Sequence, residues 1–355
     1  MALVLGLAAA IWGIGIFVGL PHRLRWVGIG LLWLALVLAH FALPEGHPLR
    51  AATGGTAAGW VLLGGLVAVV AVYRMALGFL KSRARGALEG DAPQEALFRD
   101  AELRRYARHI ILREVGGPGQ ARLKRARVLV IGAGGLGSPA LMYLAAAGVG
   151  TIGVIDDDTV DATNLHRQVI HGDPDIGRTK VHSAADKMTT INPFITIRPY
   201  SRRLTEADAK DLFDDYDLIL DGTDNFESRY LANRTAVAAG KPMTSGALTQ
   251  WEGQVSVFDP ANGGPCYACV FPTPPAPELA PSCAEAGVIG PLPGVVGSMM
   301  ALEAVKLITG AGAVLRGEMM IYDGLWGETR KIRVTPRADC PVCHGAGLAT
   351  GTGRA

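Results

Sequence analysis

Three groups of residues in this chain have types and spacings that could do chemistry. The first is a glycine turn followed by an acid and two cations. Residues 128–131 form an apolar run that leads into Gly132-x-Gly134-Gly135-x-Gly137 and then into an Ala/Leu-rich helical pattern. Glycines so placed let the backbone approach a phosphate at a helix N-terminus, where amide donors and the helix dipole favour an anion. Asp156 stands nineteen residues after Gly137, at the end of a second expected strand, where a carboxylate accepts ribose hydroxyls. Alone, such a turn most often marks a dinucleotide site. Arg167 and Lys180 then add a planar fork and a point charge, both suited to phosphates. Nothing reads as a base paired with a hydride site, so these cations favour ATP over a nicotinamide or flavin.

The second group is two Cys-x-x-Cys pairs, Cys266/Cys269 and Cys340/Cys343. Four thiolates are the number a closed tetrahedral zinc site takes. The seventy residues between the pairs exceed a compact ribbon, so spacing alone leaves a redox pair as the rival. The third is Cys283, which follows a proline-rich loop over residues 272–281 where mobility is expected. A chemical and a packing role both stay open for it. Five cysteines in a chain of this size make no disulfide framework.

The elements that must position these residues fall into two physical classes. The chain has 355 residues, 49% hydrophobic and only 19% charged, with a positive mean hydropathy. That excess lies in the first 80 residues. A formal charge of +2 and the lack of basic blocks with interleaved aromatics argue against nucleic acid as a partner. Residues 2–20, 26–43 and 56–73 are uncharged apolar runs, each near the ~20 residues a spanning helix needs. Three spans, or two, are expected over residues 1–80. A cleaved signal peptide is the rival for the first run, but no basic residue precedes its apolar core. Arg23 and Arg25 in the first loop, and Arg74, Lys81, Arg83 and Arg85 after the third run, place the following domain in the cytoplasm by the positive-inside rule. Residues 81–98 read as a linker and 346–355 as a disordered tail.

From residue 99 to 345 strand-like and helix-like runs alternate, the pattern of a parallel sheet flanked by helices. Strands are expected at 127–131, 151–156, 195–200, 218–221, 242–247, 254–259, 318–322 and 331–334. Helices are expected at 94–109, 177–191 and 293–309. The expected fold is thus α/β: a Rossmann-like, doubly wound, mostly parallel sheet with C-terminal antiparallel strands and a zinc-bound tail, after an α-helical transmembrane region.

Over this same span the chain resembles the ThiF/MoeB/HesA family of adenylating enzymes, relatives of the ubiquitin-activating enzymes. The resemblance rests on residues 105–112 (RYARHIIL), the glycine turn, Asn164-Leu165-His166-Arg167-Gln168, Gly177-Arg178-Thr179-Lys180 and Asp221-Gly222-Thr223-Asp224-Asn225. Glu252-Gly253-Gln254, both cysteine pairs and residues 282–288 (SCAEAGV) complete it. It implies that ATP is joined to the C-terminal Gly-Gly of a small ubiquitin-like sulfur carrier, giving an acyl-adenylate and pyrophosphate. The nearest members act in molybdopterin and thiazole synthesis.

The resemblance also assigns roles. Gly132, Gly134, Gly135, Gly137, Asp156, Thr163, Asn164, Leu165, His166, Arg167, Lys180, Asp224 and Asn225 contact the nucleotide, Gly135 giving the close backbone approach. Asp224 ligates Mg2+, which prefers one or two carboxylates plus phosphate oxygens, while Asp221 caps a strand end. Arg108 reaches the nucleotide from a neighbouring subunit, implying a homodimer. The four paired cysteines hold a structural Zn2+, and Cys283 matches a cysteine that links covalently to the carrier in some members. By residue type alone, His166 and His171 read as structural or surface groups, and Asp157 and Asp158 as solvated loop charges. The attacking carboxylate is already ionised, so catalysis would be charge neutralisation and positioning. No rhodanese domain follows Cys343, so any sulfur would come from a separate donor protein, and the membrane anchor is atypical of the family. The rivals are an NAD- or FAD-dependent oxidoreductase and a non-catalytic membrane scaffold for a ubiquitin-like partner.

Overall fold

The structure is a computed structural model describing residues 2–54, 56–88, 97–275 and 286–344. The chain forms two compact units, Met1–Glu95 and Ala96–Ala355. The first is helical: α1 (Ala2–Phe17), α2 (His22–Ala42), α3 (Pro48–Thr53) and α4 (Ala57–Leu88). Trp60 of α4 is buried with Val4, Leu36 and Val37, and the Trp33 indole donates to Trp60 O at 2.8 Å. A Cβ at Gly64 would lie 2.1 Å from the Trp33 ring, so that glycine lets α2 and α4 touch, as its small size predicts. Outward faces stay apolar; Phe17 is 94% and Leu62 74% exposed.

Leu24–Ala42 and Ala57–Leu77 are long and apolar enough to cross a membrane. Helix α1, at 16 residues, spans about 24 Å at 1.5 Å per residue, short of a ~30 Å hydrocarbon core. The uninterrupted first run of the sequence is therefore cut by a turn at Gly19 (φ 75°) before Pro21. Residues 81–88, expected as linker, continue α4 as helix.

The second unit is built on an eight-stranded sheet in the order β3-β2-β1-β4-β5-β6-β7-β8. Its strands are β1 (Arg127–Ile131), β2 (Thr151–Ile155), β3 (Thr196–Tyr200), β4 (Leu218–Asp221), β5 (Met243–Leu248), β6 (Glu252–Phe258), β7 (Glu318–Asp323) and β8 (Glu328–Arg333). The first five pair in parallel and the last three antiparallel, as expected from the sequence. Strand β1 shows why. Val128 and Val130 enter one core layer, while Leu129 and Ile131 enter the other. A period of two with both faces covered makes a continuous apolar run.

Helices cover both faces. On one lie α7 (Gly116–Arg125), α8 (Gly137–Ala147), α9 (Lys180–Ile191) and α13 (Pro291–Thr309), which contribute Leu123, Leu144, Met188 and Met300. On the other, α10 (Glu206–Asp214) and α11 (Phe226–Ala238) bring Phe213 and Leu231. A short α12 (Tyr267–Val270) carries the first cysteine pair. Helix α13 is also apolar enough to cross a membrane, yet its Val296, Met300 and Ala304 are fully or almost fully buried in this core.

Three expected elements differ, one of them only in that the helix expected at 177–191 begins at Lys180. The helix expected at 94–109 is broken into α5 (Asp100–Arg105) and α6 (Ala107–Ile110). Tyr106 leaves helical geometry at the break (φ −92°, ψ 8°) to bury its ring. Its hydroxyl accepts from Asn192 Nδ2 at 2.8 Å. Strand β8 begins three residues before expectation because residues 328–333 are all exposed; a charged edge strand guards against pairing with other chains and lacks an apolar alternation.

The turn between β1 and α8 is fixed by close packing. A Cβ at Gly137 would lie 1.9 Å from Gly132 O. Gly137→Ala must push strand and helix apart, so it is expected to destabilise by about 2–3 kcal/mol, the usual range for overpacking. Chemical denaturation of the full chain measures this, and an unchanged midpoint would contradict it.

Candidate active site

The sheet changes direction between β1 and β4. From β1 the chain winds out through β2 and β3, then returns to place β4 and β5 on the other side. Ligands in such sheets bind outside the carboxyl ends of the strands at this point. Here a cleft of about 1200 Å³ opens there, walled by Gly132, Gly134, Asp156, Arg167, Lys180 and Asp224 among others. Six residues expected to act together therefore meet at one place.

The glycine turn begins where Gly132 (φ 94°) donates to Ile155 O at 2.9 Å. A Cβ on Gly135 would lie 3.0 Å from Pro293, whereas one on Gly134 would meet only Gln168 Nε2, at 3.7 Å. Both glycines line the cleft, and Gly135 also makes room for α13. Gly134 is the position left open to a ligand. Beside it, Gln168 is buried with Oε1 unpartnered.

Asp156 ends β2. Its Oδ2 accepts from Ala133 N at 2.7 Å and its Oδ1 from Asp158 N at 2.9 Å. Each oxygen keeps lone pairs for a hydroxyl donor. Burial raises its carboxyl above the usual range, against the pull of Lys180 and these amides. Lys180 is 5% exposed; its Nζ donates to Asp158 Oδ2 at 2.7 Å, and its backbone N to Asp158 O at 3.0 Å. Asp158, expected to be a solvated charge, is the group that holds Lys180.

His171 is structural, as its residue type predicts. Its Nε2 lies 3.0 Å from Ala133 O and its Nδ1 2.8 Å from Ser183 Oγ. A carbonyl only accepts, so Nε2 carries the proton and Nδ1 accepts from the hydroxyl. The ring ties the glycine turn to the helix bearing Lys180.

Arg167 reaches the cleft while its NH1 donates to Thr163 O at 3.2 Å and its NH2 to Asn164 Oδ1 at 2.9 Å. Thr163, Asn164, Leu165 and His166, expected as nucleotide contacts, are not on the cleft wall. Asn164 instead braces Arg167, and His166 Nδ1 bonds to Thr163 O at 3.0 Å. After the short 3-10 turn over Ala162–Asn164, the polar side chains of Thr163, Asn164 and His166 bond within their own loop.

Asp221 and Asp224 sit in different environments. Asp221 is fully buried; it accepts from Thr223 N at 3.1 Å and Ser245 Oγ at 2.7 Å, and faces Arg229 Nε at 3.3 Å. Asp224 is exposed on the cleft wall, a free carboxylate suited to a divalent ion. Asn225 lines the cleft but uses Oδ1 to cap α11, accepting from Ser228 N at 2.9 Å. Arg108, on α6, is exposed and not on the cleft wall. Cys283 lies outside the described residues. Arg202, Arg203 and Arg229 also line the cleft, and sequence reasoning passed over them. The dibasic step after β3 was a signal for the first two. Arg229, an isolated arginine within a helical run, gave none.

The paired cysteines converge away from the cleft wall. Sγ–Sγ distances are 3.7 Å for Cys266–Cys269, 3.6 Å for Cys266–Cys340 and 3.4 Å for Cys269–Cys343. All four are buried free thiols. A Zn–S bond of about 2.3 Å sets tetrahedral sulfur edges near ~3.8 Å, so the group could hold zinc. Burial pushes the Cys266 thiol up. At Cys340 burial acts in the same sense, but backbone amides of Cys343 and Val342 outweigh it and lower that thiol to about 7.

With this geometry in view, the relatives are informative. Residues 106–342 match the ThiF family. The probable adenylyltransferase/sulfurtransferase MoeZ of Mycobacterium tuberculosis is 53% identical over 252 residues, covering 70% of this chain and 64% of that one. The sulfur carrier protein adenylyltransferase of Thermus thermophilus is 50% identical over 246 residues, covering 68% and 91%. The chain thus spans just under two thirds of the mycobacterial relative. MccB of E. coli, solved with ATP, superposes with a TM-score of 0.59 at 21% identity over 67% of this chain and 74% of that one, a likeness of fold. This chain belongs to the ThiF family.

Burial pushes the His171 imidazolium below its ordinary value. Above about pH 6.5 the ring is neutral in both folded and unfolded chains. As pH falls below that, the unfolded chain takes the proton first, and stability falls by up to about 1.4 kcal/mol per pH unit. The loss stops once the folded ring also protonates. His171→Gln is therefore expected to lose less thermal stability than the wild type between about pH 7 and about pH 5. Equal losses would contradict the assignment.

Proposed function

We propose that this chain uses ATP to adenylate the C-terminal Gly-Gly carboxylate of a small ubiquitin-like sulfur-carrier protein, releasing pyrophosphate and preparing the carrier for sulfur transfer. The observation that carries the reading is the meeting of Asp156, Gly134, Arg167, Lys180 and Asp224 around one cleft at the sheet's switch point. The names of the mycobacterial and Thermus relatives support it.

The reaction joins two anions, so repulsion is the obstacle rather than nucleophile strength. Asp156 would take the ribose hydroxyls, leaving the triphosphate to run past Gly134 toward Arg167 and Lys180. A bidentate guanidinium and an ammonium, both held before ligand arrives, neutralise charge without reorganising. Asp224 would hold magnesium, which supplies further charge neutralisation on the phosphates. The carboxylate of the carrier needs no base, because it is ionised at neutral pH.

Arg108 would complete the site from a second copy, making the active form a homodimer. The four cysteines would hold a structural zinc that clasps residues 340–343 onto α12. The helical unit would anchor the enzyme in a membrane, with two full spans (Leu24–Ala42 and Ala57–Leu77) and the ThiF unit in the cytoplasm, near a membrane-bound carrier or a separate sulfur donor.

Carrier-dependent exchange of labelled pyrophosphate into ATP tests the chemistry. Arg167→Ala is expected to lower the exchange rate at least ~100-fold, as for loss of a charge-stabilising donor, with an unchanged thermal midpoint. An unchanged rate would remove the reading. Elemental analysis should find one zinc per chain, lost in Cys340→Ser together with thermal stability; a zinc-free wild type would refute the metal assignment.

A further inference from the structure

Arg229 is 5% exposed and has no part in the reading above. Its position on α11 accounts for the shape of the loop that bears Asp224. One guanidinium nitrogen donates both to Thr223 O at 2.6 Å and to Gly246 O at 2.9 Å, joining the loop after β4 to strand β5. Its Nε faces the buried Asp221 carboxylate at 3.3 Å. That carboxylate in turn accepts from the Thr223 amide at 3.1 Å and from its hydroxyl. Thr223 is therefore held through its carbonyl, amide and hydroxyl.

On the other side of Asp224, Asn225 caps α11 through Ser228 N. Asp224, whose carboxylate has no partner among the described residues, lines the cleft between two pinned neighbours. The guanidinium is itself supported: its Cζ lies 5.7 Å from the centroid of the Tyr267 ring. Tyr267 sits between Cys266 and Cys269 and is 2% exposed. Its backbone N donates to Asn233 Oδ1 at 2.8 Å.

We infer that Arg229 is a positioning residue for adenylation. It fixes the Asp224 carboxylate where a metal-bound triphosphate must meet it, and Tyr267 makes the cysteine knuckle part of that support. The inference rests on the reading of Asp224 as the ligand of the nucleotide's magnesium. An arginine suits the position because two separate nitrogens, Nε and one terminal nitrogen, reach the carboxylate and both carbonyls. Burying the charge is tolerable because Asp221 opposes it and carbonyls take its N–H groups.

The test is ATP binding by calorimetry to the full-length protein, with magnesium and with a chelator. The wild type is expected to bind ATP more tightly with magnesium. Arg229→Gln should lose this enhancement about tenfold, while its metal-free affinity stays within about twofold, and it should add nothing further in an Asp224→Asn background, as for residues acting through one group. A retained enhancement, an equal loss with and without magnesium, or additive losses would overturn the inference. If Arg229→Gln does not fold, Arg229→Lys decides. It keeps the charge against Asp221 but not the fork, so an enhancement lower by about threefold is expected, and full retention overturns the claim. No enhancement in the wild type would overturn the Asp224 reading and this one together. Absent carrier-dependent exchange beside an intact magnesium effect would overturn the proposed function alone.

Discussion

Lys180 enters the cleft from the first turn of α9 with its ammonium tied to Asp158 and almost no contact with water. A cation taken out of water without a partner costs several kcal/mol. Asp158 offsets that cost, yet its own carboxylate is 66% exposed, so solvent screens the pair. The charge is thus held in place without being fully neutralised. Arg167 is braced on its own loop by Asn164 and Thr163. Both cations are set before any anion arrives, and the rest of the cleft serves that arrangement.

The supports run through the fold rather than along the chain. His171 couples the glycine turn to α9. Pro293 of α13 packs into the space that Gly135 leaves. Asp221 and Arg229 fix the loop that bears Asp224, and Tyr267 carries that support to the cysteine knuckle. The glycine turn and the Asp224 loop are stiff because the groups behind them, His171, Asp221, Arg229 and Tyr267, are buried.

That pattern explains what the sequence could disclose. Strand β1 was legible because both its faces are covered, so Val128–Ile131 are all apolar. The glycine turn, the acid ending β2 and the two cysteine pairs were legible because their chemistry depends on short spacings. Only the second half of strand β8 was legible, because an exposed edge shows charge instead of alternation. The break at Tyr106 was hidden because it answers to Asn192, 86 residues away. Asp158 looked like one charge among three until the fold set Lys180 against it. In the Thr163–His166 run the local turn sets Asn164 against Arg167 and the Thr163 hydroxyl against Asp161, contacts that sequence does not announce. Within the helical unit, hydropathy located the three long helices but neither α3 nor the turn at Gly19, which shortens the first.

The central claim is that a triphosphate lies against Arg167 and Lys180. The most direct measurement is a crystal structure of the chain with a non-hydrolysable ATP analogue and magnesium. Phosphate oxygens are expected within about 3.2 Å of Lys180 Nζ and the Arg167 guanidinium, a normal hydrogen-bond reach, with a ribose hydroxyl on Asp156. A nucleotide bound with its phosphates turned away from both cations would contradict the account.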